Sequence, residues 1–233
     1  MNAVACNWHE FASSEALAAG FSAIVAGVLG DAVAARGKAT LAVSGGTTPG
    51  LFFRTLSREK IDWAKVAVTL VDERFVAPDS PRSNAGLVAA NLLQNEAAAA
   101  NFIGLYSPSP DVESAARRAD GAIGRQALPL DAVVLGMGAD GHTASFFPDA
   151  DDLTALLDPH ANANVLPVHA PSGIEPRLTL TLPCIAQAGF IALHIEGAEK
   201  RRVLNAALDG KPDLPVRAVF DHASVPVQVF WAP

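Results

Sequence analysis

Three short apolar runs limit the folds open to this chain: Thr40-Leu-Ala-Val-Ser44, Val66-Ala-Val-Thr-Leu-Val-Asp72 and Asp131-Ala-Val-Val-Leu135. They are continuous and do not alternate apolar with polar residues, so each predicts a strand covered on both faces. Alanine-rich segments with helical spacing lie between them. Strands separated by helices imply right-handed βαβ units and an open, mostly parallel sheet with helices on both sides. The chain has 233 residues, half of them hydrophobic, with no composition break and no internal repeat. A single domain spanning residues 1–233 is the simplest organisation.

The rest of the chain fits this alternation. Val4–Asn7 reads as a short strand, and Ser13 or Ser14 can cap a helix reaching about Arg36, with Leu17, Phe21, Ile24 and Val28 as its apolar stripe. Further helices are expected to about Leu56, over Asn84–Leu93, over Asp111–Ala127 and from about Ala198 to Leu208. Weaker strands are expected at Val165–His169 and Arg177–Leu182, then firmer ones at Phe190–Ile195 and Val227–Trp231. Glu73 to Arg82 reads as a long polar loop.

Charge and cysteine content exclude several function classes. Lys and Arg number 17 against 24 Asp and Glu, a net charge of −7. An acidic chain without a basic run argues against nucleic acid and against an anionic membrane surface. A small anion stays open as a ligand, because a few local cations suffice to hold it. Cys6 and Cys184 are 178 positions apart and have no Cys or His at ligand spacing, which fits a reducing compartment and no zinc site. The opening MNAVACNWHEF lacks the pattern of a signal peptide, and the uncharged stretch Ala16 to Gly30 is too short to span a bilayer. The expectation is a cytoplasmic protein, monomeric or a small homo-oligomer.

In open α/β sheets ligands bind beyond the carboxyl ends of the strands. The three strongest strands all end there in polar, mostly glycine-marked loops. After the first comes Ser44-Gly-Gly-Thr-Thr-Pro-Gly50, where glycines permit close backbone approach and a helix start offers free N–H groups to an anion. It lacks the Gly-Lys-Ser/Thr of a P-loop. Ala42-Val-Ser-Gly-Gly46 half-matches the nucleophile elbow of α/β-hydrolases, with Ser44 as nucleophile and a late histidine such as His222 as base. Against it, the serine comes early and no oxyanion segment precedes it.

Gly136-Met-Gly-Ala-Asp-Gly141 satisfies G-x-G-x-x-G, but Pro148 leaves little room for the helix that a dinucleotide site requires. More informative is Asp140-Gly-His142, a carboxylate two residues from an imidazole on a glycine-hinged loop. Its bland alternative is a histidine on a surface loop. Asp72-Glu-Arg74 ends the strongest strand; it is either a solvated ion cluster or a carboxylate and guanidinium facing the crevice. Arg177 and Lys200 are each unremarkable taken alone. His9, His160, His169, His194 and His222 show no metal-ligand spacing.

In combination these segments resemble the 6-phosphogluconolactonase family: SGGTTP at Ser44–Pro49, VDERFV at Val71–Val76 with Ser83-Asn84, GMGADGHTASFFP at Gly136–Pro148, PRLTLT at Pro176–Thr181 and G-x-x-K at Gly197–Lys200. The resemblance spans nearly the whole chain. It implies a modified doubly wound, Rossmann-like fold akin to glucosamine-6-phosphate deaminase and ribose-5-phosphate isomerase. It also implies hydrolysis of 6-phospho-D-glucono-1,5-lactone in the oxidative pentose phosphate pathway, with no metal and no organic cofactor. Carried over, it sets phosphate against Ser44, Gly45, Gly46, Thr47, Arg177 and Lys200, makes His142 the general base, and gives Arg74 to the substrate. Asp140, or backbone near it, would fix the tautomer of the imidazole, and Asp72 is the alternative base. The related deaminases are expected to carry Glu where this chain has Phe147 and Tyr where it has Arg74, which favours the lactonase. A sugar-phosphate-binding regulator is the other alternative, and it lacks room for a DNA-binding segment before residue 44.

Overall fold

The computed structural model describes residues 6–210 and 213–233. The strands are β1 (Cys6–Glu10), β2 (Ala39–Val43), β3 (Val66–Leu70), β4 (Asp72–Arg74), β5 (Asn101–Ile103), β6 (Ala132–Leu135), β7 (Val165–Val168), β8 (Arg177–Leu180), β9 (Phe190–Glu196) and β10 (Val227–Ala232). The α-helices are α1 (Ser14–Arg36), α2 (Gly50–Leu56), α3 (Asn84–Asn91), α4 (Val112–Gln126), α5 (Leu153–Leu156), α6 (Leu182–Ala186), α7 (Ala198–Leu208) and α8 (Val216–His222). Seven strands form one sheet in the order β1-β10-β9-β6-β2-β3-β5, and every described pairing in it is parallel. The expected α/β architecture is the observed one.

From β2 the chain builds outward through β3 to β5; from β6 it builds the other way through β9 to β10, with β1 at the edge. β2 and β6 are neighbours, pairing Leu41 with Ala132 and Val43 with Val134. The loops leaving them therefore diverge to opposite sides of the sheet and open a crevice at its carboxyl end, the place where such folds bind ligands.

Helix α1 shows how sequence becomes packing. The Ser13 hydroxyl accepts from Ala16 N–H at the start, and Gly37 closes the helix at φ 75°. Its buried face is Leu17, Phe21, Val25 and Leu29; of the expected stripe, Val28 is half-buried against the core and only Ile24 is exposed. Successive i+4 steps keep the side chains over the sheet, whereas the i+3 step to Ile24 turns away from it. Phe21 stacks on Phe52 at 4.3 Å and on Phe230 at 4.0 Å between ring centroids, tying α1 to α2 and β10. Full burial of side chains this size is worth roughly 1.5–3 kcal/mol each. By length and composition the 23-residue α1 could cross a membrane, which corrects the expectation drawn from Ala16 to Gly30. In this fold its apolar face covers the sheet.

Other departures matter more for the site. The first two residues of the expected Val4–Asn7 strand lie outside the described residues, and β1 runs on to Glu10. β5, α5, α6 and α8 are too short to have a readable period. The chief surprise is a second, antiparallel sheet, β4-β8-β7. Its strand β4 occupies residues 72–74, which the sequence reading divided between the end of the third strand and a loop. Val71 still bonds to Val43 O in the parallel sheet, at 2.9 Å, and Leu180 N–H donates to Val71 O at 2.8 Å. The chain thus changes sheets within one residue. Asp72 then pairs with Thr179, and Arg74 with Arg177.

Candidate active site

A cavity of about 220 Å³ sits in the crevice between the β2 and β6 loops. Its wall includes Ser44, Gly45, Gly46 and Thr47 from the first loop, Asp72 and Arg74 from β4, His142 from the β6 loop, Arg177 from β8 and Lys200 from α7. Nine of the ten residues singled out in the sequence therefore meet there. The tenth, Asp140, stands behind His142. Segments more than 150 positions apart converge because the parallel strands all deliver their carboxyl ends to one edge.

The first loop is tied to its neighbours. Ser44 N–H donates to Val134 O at 2.9 Å, and Ser44 Oγ accepts from Gly136 N–H at 3.1 Å. Gly46 has φ 97°, a left-handed conformation suited to glycine. Lys200, in the first turn of α7, donates to Thr48 Oγ1 at 3.3 Å, so the lysine is seated directly on this loop. Burial lowers the Lys200 pKa, and the Glu196 charge opposes that shift. Glu196 itself is held by His194 Nε2 at 3.0 Å and by the Ser14 hydroxyl. His194, buried on β9, also borders the cavity; its isolated position in the sequence gave no signal of this.

The second group surrounds Asp72, which is only 6% exposed. Its Oδ2 accepts from Ser145 Oγ at 2.6 Å and lies 3.7 Å from Arg177 Nη1. Burial lowers the Arg177 pKa, with Asp72 the main opposing charge. Arg177 also lies 5.2 Å from the Phe147 ring centroid, and that ring packs 4.5 Å from the His142 imidazole. Phe147 thus joins the arginine to the histidine. Glu73, beside Asp72, points the other way and is fully buried. It accepts from the N–H groups of Arg74, Asn84 and Ala85 and from the Ser83 hydroxyl, so it anchors the start of α3. Burial raises its pKa against these four donors.

The third element is the β6 loop. No long helix follows its glycines; turns run from there to the short α5, so the dinucleotide pattern is not fulfilled. The loop instead folds around the imidazole: Gly138 N–H donates to His142 O at 2.9 Å, and Gly141 has φ 79°. A Cβ at Gly138 would collide with both Asp140 and His142. Asp140 Oδ1 lies 2.6 Å from His142 Nδ1 and accepts His142 N–H at 3.2 Å. The hydrogen bond from His142 lowers the Asp140 pKa. An ionised Asp140 keeps the proton on Nδ1 and leaves the Nε2 lone pair free to act. Among the described residues no imidazole is bonded to Ser44 Oγ, and His222, the base expected for a nucleophile elbow, is exposed at the end of α8 and does not line the cavity.

The architecture is that of a doubly wound α/β protein whose crevice can hold a small anion at one end and accept a proton at the other. Residues 12–231 match the family model for glucosamine-6-phosphate isomerases/6-phosphogluconolactonase. The chain belongs to this family. A protein of Mesorhizobium japonicum named 6-phosphogluconolactonase is 58% identical over 233 residues, covering 100% of this chain and 98% of its own. One of the same name from Rhizobium meliloti is 49% identical over 232 residues, covering 99% and 100%. Among solved structures, a 6-phosphogluconolactonase from Shewanella baltica superposes with a TM-score of 0.93 at 39% identity, covering 98% of each chain.

Proposed function

We propose that this chain is a carboxylic ester hydrolase that converts 6-phospho-D-glucono-1,5-lactone and water to 6-phospho-D-gluconate. This is the second step of the oxidative pentose phosphate pathway, and the chain would carry it out as one cytoplasmic domain. Relatives of that name at 58% and 49% identity over the full length support the activity. The observation that carries the mechanism is the Asp140–His142 pair, 2.6 Å apart, with His142 on the cavity wall.

The substrate phosphate lies against the Ser44–Thr47 loop and is held by Lys200 and Arg177, while Arg74 supplies a further cationic contact. This remote binding energy fixes the lactone ring over His142. His142 Nε2 removes a proton from water as the water attacks the lactone carbonyl. Charge then builds on the carbonyl oxygen of the tetrahedral intermediate. Collapse breaks the bond to the ring oxygen, which recovers the proton from the imidazolium. A lactone is an activated ester, so the step needs neither an acyl-enzyme nor a metal. Asp72 is the less suitable base because its carboxylate is committed to Ser145 and serves as the counter-charge of Arg177.

The test adds purified protein to freshly generated lactone, with 6-phosphogluconate dehydrogenase as the coupling enzyme and glucosamine 6-phosphate as a parallel substrate. Turnover well above spontaneous hydrolysis is expected, and His142→Ala should lower kcat by about 10²–10⁴. Turnover at the spontaneous rate, or preference for glucosamine 6-phosphate, would overturn the reading.

A further inference from the structure

Asn84 is buried at the first position of α3, 3% exposed, and its side chain touches three separate parts of the cavity wall. Its Oδ1 accepts from Arg74 Nη1 at 2.8 Å. Its Nδ2 donates to Asp72 O at 2.9 Å. Its amide also packs so closely on Gly45 that a Cβ there would collide with it. One amide therefore spaces the first loop, the arginine and the β4 backbone.

The effect on Arg74 is specific. The second proton of Nη1 goes to Arg82 O, at 2.7 Å, so that nitrogen is fully committed. Nε is buried without a partner, and among the described residues none takes up Nη2. With Nε shut away, Nη2 is the nitrogen left to donate a charge-assisted hydrogen bond to a carboxylate or phosphate oxygen. We infer that Asn84 is a positioning residue: it holds Arg74 by Nη1, against the Gly45 side of the cavity, and so sets where Nη2 meets the substrate phosphate. This deepens the lactonase reading and rests on it.

A double-mutant cycle over Asn84→Ala and Arg74→Ala tests the inference. It is read as kcat/KM for 6-phosphogluconolactone and, separately, as Kd for 6-phosphogluconate by calorimetry. Asn84→Ala alone should raise KM and Kd about tenfold or more with kcat little changed. In the Arg74→Ala background it should change either by less than about threefold, because contacting residues in one network are non-additive. Unphosphorylated gluconolactone should barely sense Asn84. The same factor with and without Arg74, a fall in kcat alone, or equal losses on both lactones would overturn the role. If Asn84→Ala does not fold, Asn84→Ser, too short to reach Arg74, carries the same cycle. If the wild-type protein fails to hydrolyse the lactone, the proposed function falls, while the Kd cycle still decides the role of Asn84.

Discussion

Asp140→Asn is the most discriminating perturbation of the proposed chemistry, because it leaves the cavity lining unchanged and alters only what stands behind the base. In the native loop one carboxylate oxygen serves both His142 Nδ1, at 2.6 Å, and His142 N–H, at 3.2 Å. The amide oxygen of asparagine can keep both contacts, so the ring should stay in place. What is lost is charge. A hydrogen bond to a charged group contributes about 1.5–3 kcal/mol and a neutral one about 0.5–1.5, a difference of about 1–1.5 kcal/mol. The carboxylate also stabilises the imidazolium formed in the transition state. The pair would be worth about 4 kcal/mol at 4 Å in a medium of effective dielectric 20. With the two side chains 30% and 44% exposed, solvent removes much of that. A net loss of about 1.5–3 kcal/mol follows, or a fall in kcat of about 10–100-fold at 1.4 kcal/mol per decade. KM should move less than about threefold, since Asp140 does not line the cavity. The coupled assay with subtraction of spontaneous hydrolysis measures both constants. A variant within threefold of wild-type kcat, or a KM effect with kcat intact, would refute the proposed role of Asp140.

Two further outcomes are expected. Burial lowers the Lys200 pKa, so the free protein begins to lose this cation at a lower pH than an ordinary lysine would; Kd for 6-phosphogluconate should therefore rise with pH on the alkaline side, and Lys200→Arg should abolish that rise in calorimetric titrations. Glu73→Gln turns one of two accepting oxygens toward Ala85 N–H as a second donor, which should cost about 1–3 kcal/mol and lower Tm by several degrees; an unchanged melt would show that Glu73 does not anchor α3.

How much of this was legible in the sequence depends on the length scale over which each feature is encoded. The parallel core was readable because burial on two faces leaves an uninterrupted apolar run, and the strands β2, β3 and β6 differ from the expected ones only at their ends. The buried face of α1 was misjudged at Ile24 because an i+3 and an i+4 step are equally helical and only the neighbouring sheet decides between them. The antiparallel sheet was unreadable for another reason. Asp72-Glu-Arg is polar and three residues long, so nothing local marks it as a strand; it becomes one because β8, more than 100 positions later, pairs with it. Such non-local pairing overrides propensity.

The same division runs through the site. Ser44, His142 and Arg74 could be suspected singly because glycine loops and strand ends are local signals, Lys200 and Arg177 could not, and the meeting of all five is a product of topology. The antiparallel sheet, absent from the sequence reading, sets Arg74 beside Arg177 and turns Glu73 away from the cavity, since alternate residues of a strand face opposite sides. Thus Asp72-Glu-Arg74 is not a solvated ion cluster: it is the other expected arrangement, a carboxylate and a guanidinium facing the crevice, with an added role for its middle residue. Its outer members face the cavity, and its middle member is sequestered to hold α3, whose first residue, Asn84, reaches back to Arg74. Three consecutive charges are tolerated at a buried sheet edge because each has a separate partner: Ser145 and Arg177 for Asp72, the α3 start for Glu73, Asn84 and the Arg82 carbonyl for Arg74.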